Sequence, residues 1–81
     1  MKLNSQENTI LKAMLGNKDK VWWYAKDFQH GEYFVGYEAT ARMSELLRYP
    51  FVIPGKDGRF RTIRIDWENQ EAEEMKKVLW V

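Results

Sequence analysis

The side chains of this chain best suited to binding chemistry are the arginines and lysines of its middle third. Between Ala39 and Arg64, six cationic side chains stand against two acidic ones, although the whole chain has a net charge of only +1. The cations are Arg42, Arg48, Lys56, Arg59, Arg61 and Arg64, and the acids are Glu45 and Asp57. A guanidinium group donates parallel hydrogen bonds as a fork, which fits a phosphate or the edge of a guanine. The last seventeen residues hold five acids and two lysines, so the positive charge is gathered in one segment.

A helix and a β-hairpin are predicted to carry these cations. Apolar residues at Ala39, Met43, Leu46 and Leu47 predict a helix over 36–48, which Pro50 ends because a proline disfavours helical backbone before it. The opposite face of that helix presents Tyr37, Glu38, Ala41, Arg42, Glu45 and Arg48. A strand over 51–53, a turn over 54–58 rich in glycine, and a return strand over 59–65 follow. The return strand directs Ile63 and Ile65 to one face and Arg64 to the other.

The rest of the chain supplies the supporting elements. Ser5 caps a first helix over 5–15, and Gly16 ends it. A short strand is predicted over 21–23, where one of the two adjacent tryptophans fills the core and the other is partly exposed. A short helix over 24–29 follows. A last helix over 68–79 places its acids first and its lysines late, the order that the helix dipole favours.

Composition excludes several classes of function. The 81 residues make one domain, with 44% hydrophobic residues available for a core. There is no cysteine and only one histidine, His30, so we expect no disulfide, no metal site, no cofactor and no enzymatic centre. No apolar run reaches the roughly 18 residues that span a bilayer, and Met1–Gln6 lacks the apolar stretch of a signal peptide. The sequence therefore predicts a cytoplasmic protein with no membrane partner and no small-molecule ligand.

The predicted order is helix, short strand, helix, helix, hairpin, helix. The segment 24–28 is a short helix that would support the longer helix containing 37–46. In this arrangement the chain resembles the winged helix-turn-helix family over about residues 5–66. The resemblance rests on order and pattern, and no signature string supports it. It implies an α+β fold in which a winged helix domain over 1–66 has a three-helix core and a small antiparallel sheet with a wing. The segment 67–81 is then an added amphipathic helix. One departure is the link over about 29–35, which is longer than the three- to four-residue turn of a compact helix-turn-helix.

The resemblance implies sequence-specific binding of double-stranded DNA, as in small transcriptional regulators of phage or plasmid type. The helix over 36–48 would enter the major groove, and the wing over 51–65 would follow the phosphate backbone. The helix face that meets the bases would carry Tyr37, Glu38, Ala41, Arg42, Glu45 and Arg48. The wing contacts would come from Lys56, Arg59, Arg61 and Arg64. Simpler interpretations remain open. Arg42 can pair with Glu38 or Glu45, Glu38 can serve the helix dipole, and the wing cations can protect an edge strand.

A second function and a second partner also remain open. Near-zero net charge, the acidic tail and surplus aromatic residues favour a protein-interaction module of winged-helix shape that does not bind DNA. These aromatic residues are Trp22, Trp23, Tyr33 and Phe34. The last helix has an apolar face that must be covered, either by the first helix or by a second copy in a homodimer. Its residues are Ala72, Met75, Leu79 and Trp80.

Overall fold

The structure, a computed structural model, describes residues 5–30, 34–36 and 38–80. Its elements are α1 (Ser5–Gly16), β1 (Trp23–Tyr24), a 3₁₀ helix (Ala25–Phe28), α2 (Ala39–Leu46), β2 (Val52–Asp57), β3 (Phe60–Ile65) and α3 (Gln70–Leu79). The predicted α+β class is confirmed: within the described residues, three α-helices accompany a three-stranded antiparallel sheet. None of the described helices has the length and apolar character needed to cross a membrane.

The sheet has the order β1-β3-β2, so the last strand of the hairpin lies in the middle. Trp23 pairs with Ile63 across β1 and β3, and Val52 pairs with Ile65 across β2 and β3. These four residues lie on one face and are buried, as the two-residue period of a strand requires. We call this the inner face of the sheet. The opposite, outer face carries Arg64 and the neighbouring Trp22, whose ring lies 5.5 Å from the Arg64 guanidinium carbon.

The core lies between the inner face of the sheet and the helices. The largest buried contributions from the helices are Ile10, Leu11, Met14 and Leu15 of α1, Met43 and Leu46 of α2, and Phe28. The Phe28 ring stacks on Trp23 at 5.4 Å between centroids. The Phe28 carbonyl also accepts hydrogen bonds from the amides of Val35 (2.6 Å) and Gly36 (3.2 Å). Phe28 therefore anchors both the 3₁₀ helix and the start of the segment that leads to α2.

Several predicted boundaries need correction. The helix predicted over 36–48 is shorter, because the amides of Leu47, Arg48 and Tyr49 donate to carbonyls three residues earlier and tighten the chain before Pro50. The turn predicted over 54–58 is wrong, because β2 continues to Asp57 and the chain reverses at Gly58–Arg59. An edge strand such as β2 tolerates Pro54, and Gly58 supplies the left-handed backbone (φ +60°) that the reversal needs.

Helix α3 packs against α1. Ala72 is fully buried, and Met75 and Leu79 are partly buried against the core. The Trp80 indole N–H donates to the carbonyl of Lys12 at 2.8 Å. Of the two arrangements that the sequence leaves open for this helix, packing on the first helix is therefore observed. The homodimer stays a prediction.

A hydrogen bond fastens the outer end of the hairpin to β1. The Tyr24 hydroxyl donates to Asp57 Oδ2 at 2.6 Å, and this bond to the carboxylate raises the pKa of Tyr24 above its usual value of 10.0. The bond requires the protonated phenol, so its stabilising effect is complete below about pH 10 and is lost as the pH rises through the raised pKa. We expect NMR titration of the tyrosine rings to give a lower pKa for Tyr24 in Asp57→Asn, with Asp19→Asn as a control that leaves it unchanged.

Candidate nucleic-acid interface

A groove runs between α2 and the hairpin formed by β2 and β3. Its volume is about 310 Å³, and we call it the helix–ribbon groove. Its lining residues are Ala25, Thr40, Met43, Ser44, Leu47, Pro54, Gly55, Lys56, Arg61, Thr62 and Ile63. Thr40 and Ser44 of α2 and Leu47, directly after it, form one stripe, because a helix repeats every 3.6 residues. Among the described residues, the lining includes no acidic side chain, and its only charged residues are the two cations of the hairpin.

Those two cations, Lys56 and Arg61, lie directly opposite each other in the register of β2 and β3. They continue the inner face of the sheet beyond its buried part, on the side that faces α2. Like charges directly opposite on a sheet repel each other and are unfavourable. In the part of the chain that the structure describes, no carboxylate lies within ion-pair distance of either residue. The pair therefore forms a concentrated positive site at the edge of the groove.

A second cleft adjoins the first and extends the positive site. It has a volume of about 260 Å³ and is lined by Tyr24, Ala25, Lys26, Gln29, Phe60 and Arg61. Lys26, in the 3₁₀ helix, lies with its ammonium group 5.1 Å from the Tyr24 ring. Arg61 lines both clefts, so the cations of the hairpin and of the 3₁₀ helix border one continuous surface.

The wing cations predicted from the sequence divide between two faces. Lys56 and Arg61 line the helix–ribbon groove, and Arg59 is exposed in the turn, with its guanidinium carbon 5.9 Å from the Phe60 ring. Arg64 lies on the outer face against Trp22, as strand alternation predicts. Arg64 is therefore not brought together with the other three.

The predicted recognition residues are also divided. Arg42 forms an ion pair with Glu45 at 3.0 Å, the alternative that the sequence leaves open. It lies about 200° around the helix from Thr40, so it is on a different flank from the stripe that lines the groove. Glu38, Ala41 and Glu45 are exposed. Tyr37 lies outside the described residues.

Arg48 joins the end of α2 to α1. Its guanidinium Nη1 donates to the carboxylate of Glu7 and, at 2.9 Å, to the carbonyl of Glu45. The hydrogen bond that Arg48 donates to the Glu7 carboxylate is the main cause that raises the pKa of Arg48 above its usual value, so the side chain stays charged. Glu7 is only 7% exposed. This pairing gives Arg48 a clear structural role.

Removal of the Glu7 carboxylate should therefore destabilise the fold. We expect Glu7→Ala to lower the free energy of unfolding by about 1–2 kcal/mol. The loss is smaller than for a fully buried pair because the Arg48 side chain is 28% exposed and water screens it. Urea unfolding measures the effect, with Glu74→Ala on the exposed face of α3 as the matched control. Equal stabilities of the two variants would show that the pair contributes nothing.

Sequence reasoning missed three side chains of this surface: Lys26, Thr40 and Ser44. The two hydroxyl residues follow the helical period, so a wider view of the helix surface would have included them. Nothing in the sequence near Lys26 indicates that the short 3₁₀ helix lies beside the end of β3. Among the described residues, no group of three or more histidine and carboxylate side chains can hold a metal ion. Comparison with protein-family models, with curated proteins and with solved structures yields no match.

Proposed function

We propose that the protein is a winged helix-turn-helix protein that binds double-stranded DNA through the helix–ribbon groove and acts as a small transcriptional regulator. The order of the elements supports this proposal, because a short strand, a supporting helix, a second helix and a hairpin follow α1. The sheet order β1-β3-β2 supports it further, since the hairpin then extends from the sheet beside α2. In this arrangement α2 is the recognition helix and the β2–β3 hairpin is the wing.

The observation that carries the proposal is the pair of Lys56 and Arg61, which forms no ion pair with any carboxylate among residues 5–30, 34–36 and 38–80. Two cations held opposite each other at the edge of a groove repel each other unless an anion lies between or beside them. Phosphate groups of a duplex recur along its backbone and neutralise such residues with release of counterions. Lys26 lines the second cleft beside Arg61, and Arg59 is exposed in the adjoining turn, so the proposed contacts follow a backbone rather than a single small anion.

Base reading in this proposal depends on small polar side chains of α2. Hydroxyl groups such as those of Thr40 and Ser44 can bond to base edges or phosphates, and the methyl group of Ala41 can contact a thymine methyl. Exposed Glu38 and Glu45 can accept from a cytosine amino group. Because Arg42 and Arg48 are ion-paired within the chain, we expect phosphate contacts to contribute most of the affinity.

Homodimerisation is part of the proposal, because a single copy with so few phosphate contacts would bind weakly. Two copies would engage half-sites separated by about 34 Å, one turn of the duplex. Within α3 and the residue after it, Val78 is 68% exposed and Trp80 is 47% exposed, which leaves apolar surface for a second copy.

A fluorescence-anisotropy titration with a random-sequence duplex at two salt concentrations tests the proposal. Three to four engaged cations should give a slope of log K against log salt of about −2.7 to −3.6, at about −0.9 per phosphate. Failure to bind duplex DNA at low salt would contradict it.

The protein-interaction module remains the second candidate. The observation that favours it is the internal pairing of both arginines of the α2 region, which leaves that helix without a free arginine for bases. Exposed Val21 and Trp22 offer an apolar surface away from the groove. Salt-insensitive binding to a protein, together with no binding to duplex DNA, would establish this function.

A further inference from the structure

Phe60 is an apolar side chain at the end of a charged hairpin. It opens β3 next to the Gly58–Arg59 reversal and is 61% exposed. It is absent from the buried core and from the partly buried residues that pack on it, within the described part of the chain. Its ring meets the guanidinium of Arg59 at 5.9 Å. The turn does not require a phenylalanine at this position, so the ring has no evident role in folding.

The surroundings of Phe60 indicate what kind of surface it would meet. By strand alternation Phe60 shares the outer face with Asp57, but at the end of the hairpin it also lines the second cleft together with Lys26 and Arg61. A surface that binds a protein partner usually has a mixed polar rim, whereas Lys26, Arg59 and Arg61 give this ring neighbouring positive charge that suits a polyanion. Asp57, directly opposite Phe60, is engaged by the Tyr24 hydroxyl. An exposed aromatic ring beside cations of this kind is suited to a nucleobase step with its phosphates.

We infer that Phe60 is a wedge that enters the minor groove of duplex DNA and partly unstacks one base step, which bends the duplex. This inference rests on the proposed function and adds to it a mode of recognition. Apolar side chains that insert between base steps unstack them and kink the duplex, and the bend brings more protein surface into contact. Pyrimidine–purine steps such as TA unstack most readily, so the wedge would favour DNA that contains them.

The test compares two duplexes of equal length, one with central TA steps and one with an A-tract, each with a donor and an acceptor fluorophore at its ends. With the wild-type protein we expect tighter binding to the TA duplex and increased energy transfer from bending. Phe60→Ala should bind the TA duplex about tenfold more weakly, as loss of a stacked or buried aromatic ring implies, and should not bend it. Its salt slope should equal that of the wild-type protein, because no charge is lost. Phe60→Trp should retain the bend.

Two control variants distinguish the contribution of the Phe60 ring to binding and bending from the contributions of other side chains. Phe34→Ala removes a phenylalanine of similar exposure (63%) that, unlike Phe60, does not line the second cleft, and it should leave binding and bending unchanged. Arg59→Ala should reduce the salt slope by about 0.9, the effect of one phosphate contact. Thermal unfolding followed by circular dichroism should give wild-type stability for each variant.

Three outcomes would overturn the inference. Wild-type binding and bending by Phe60→Ala would exclude the wedge while the salt slope still supports DNA binding through the groove. Equal loss of affinity for single-stranded DNA or RNA would indicate stacking on unpaired bases instead of insertion into a duplex. Absence of duplex binding by the wild-type protein would remove both the inference and the proposed function.

Discussion

Phe28→Ala is expected to lower the free energy of unfolding by about 3–5 kcal/mol, the usual cost of truncating a buried phenylalanine. The side chain is fully buried and stacks on Trp23 between the sheet and the helices. Its loss would leave a cavity between the 3₁₀ helix and the sheet, and Trp23 would lose its stacking partner. Domains of this size have only about 5–15 kcal/mol of stability, so a large part of the total is at risk.

The matched control for this prediction is Phe34→Ala, because Phe34 is 63% exposed. The same chemical change there should alter stability by less than about 0.5 kcal/mol. Urea unfolding of both variants gives the comparison. If Phe28→Ala and Phe34→Ala were equally stable, the packing of the 3₁₀ helix on the sheet described above would be wrong.

The double variant Lys56→Ala/Arg61→Ala is expected to bind duplex DNA about 100-fold more weakly at low salt. Each removed cation loses a hydrogen bond to a charged phosphate, worth about 1.5 kcal/mol at the lower end of the usual range, and each 1.4 kcal/mol is tenfold in affinity. The salt slope should become shallower by about 1.8, which is two phosphates at about 0.9 each. Stability should not fall, because two opposed like charges are removed.

A double variant with the same change of charge provides the control. Lys76→Ala/Lys77→Ala removes two cations from α3, which contributes no residue to the helix–ribbon groove. We expect it to keep a wild-type salt slope. Equal losses of affinity from the two double variants would mean that overall charge, and not the groove, determines DNA binding.

Local patterns in the sequence account for most of the fold. The apolar spacing predicts α1 over nearly its observed length, predicts a helix that contains α2 but is too long at both ends, and strand alternation correctly separates Arg64 from Ile63 and Ile65. The sequence also predicts the hairpin, but it places the turn too early because Pro54 and Gly55 are typical turn residues. Only the sheet order makes β2 an edge strand in which a proline is tolerated.

The candidate site was less predictable because it depends on contacts between distant segments. The pairing of Arg48 with Glu7 joins residues that are 41 positions apart, and no local pattern indicates it. The proximity of Lys26 to Arg61 similarly depends on how the 3₁₀ helix packs beside β3. Lys56 and Arg61 could be predicted to lie on a hairpin because charge density and hairpin chemistry are both local properties of the sequence; their role as wing cations stays a prediction.

A titration of the isotope-labelled protein with a duplex, followed through backbone amide NMR signals, determines whether DNA binds in the helix–ribbon groove. We expect the amide signals of Thr40, Ser44, Lys56 and Arg61 to shift together as DNA is added. The amide signals of Ala72 and Leu79, where α3 packs on α1, should stay in place. Shifts confined to α3 or to the outer face around Trp22, with no shift of the amide signals of the groove residues, would show that the duplex does not bind in the groove.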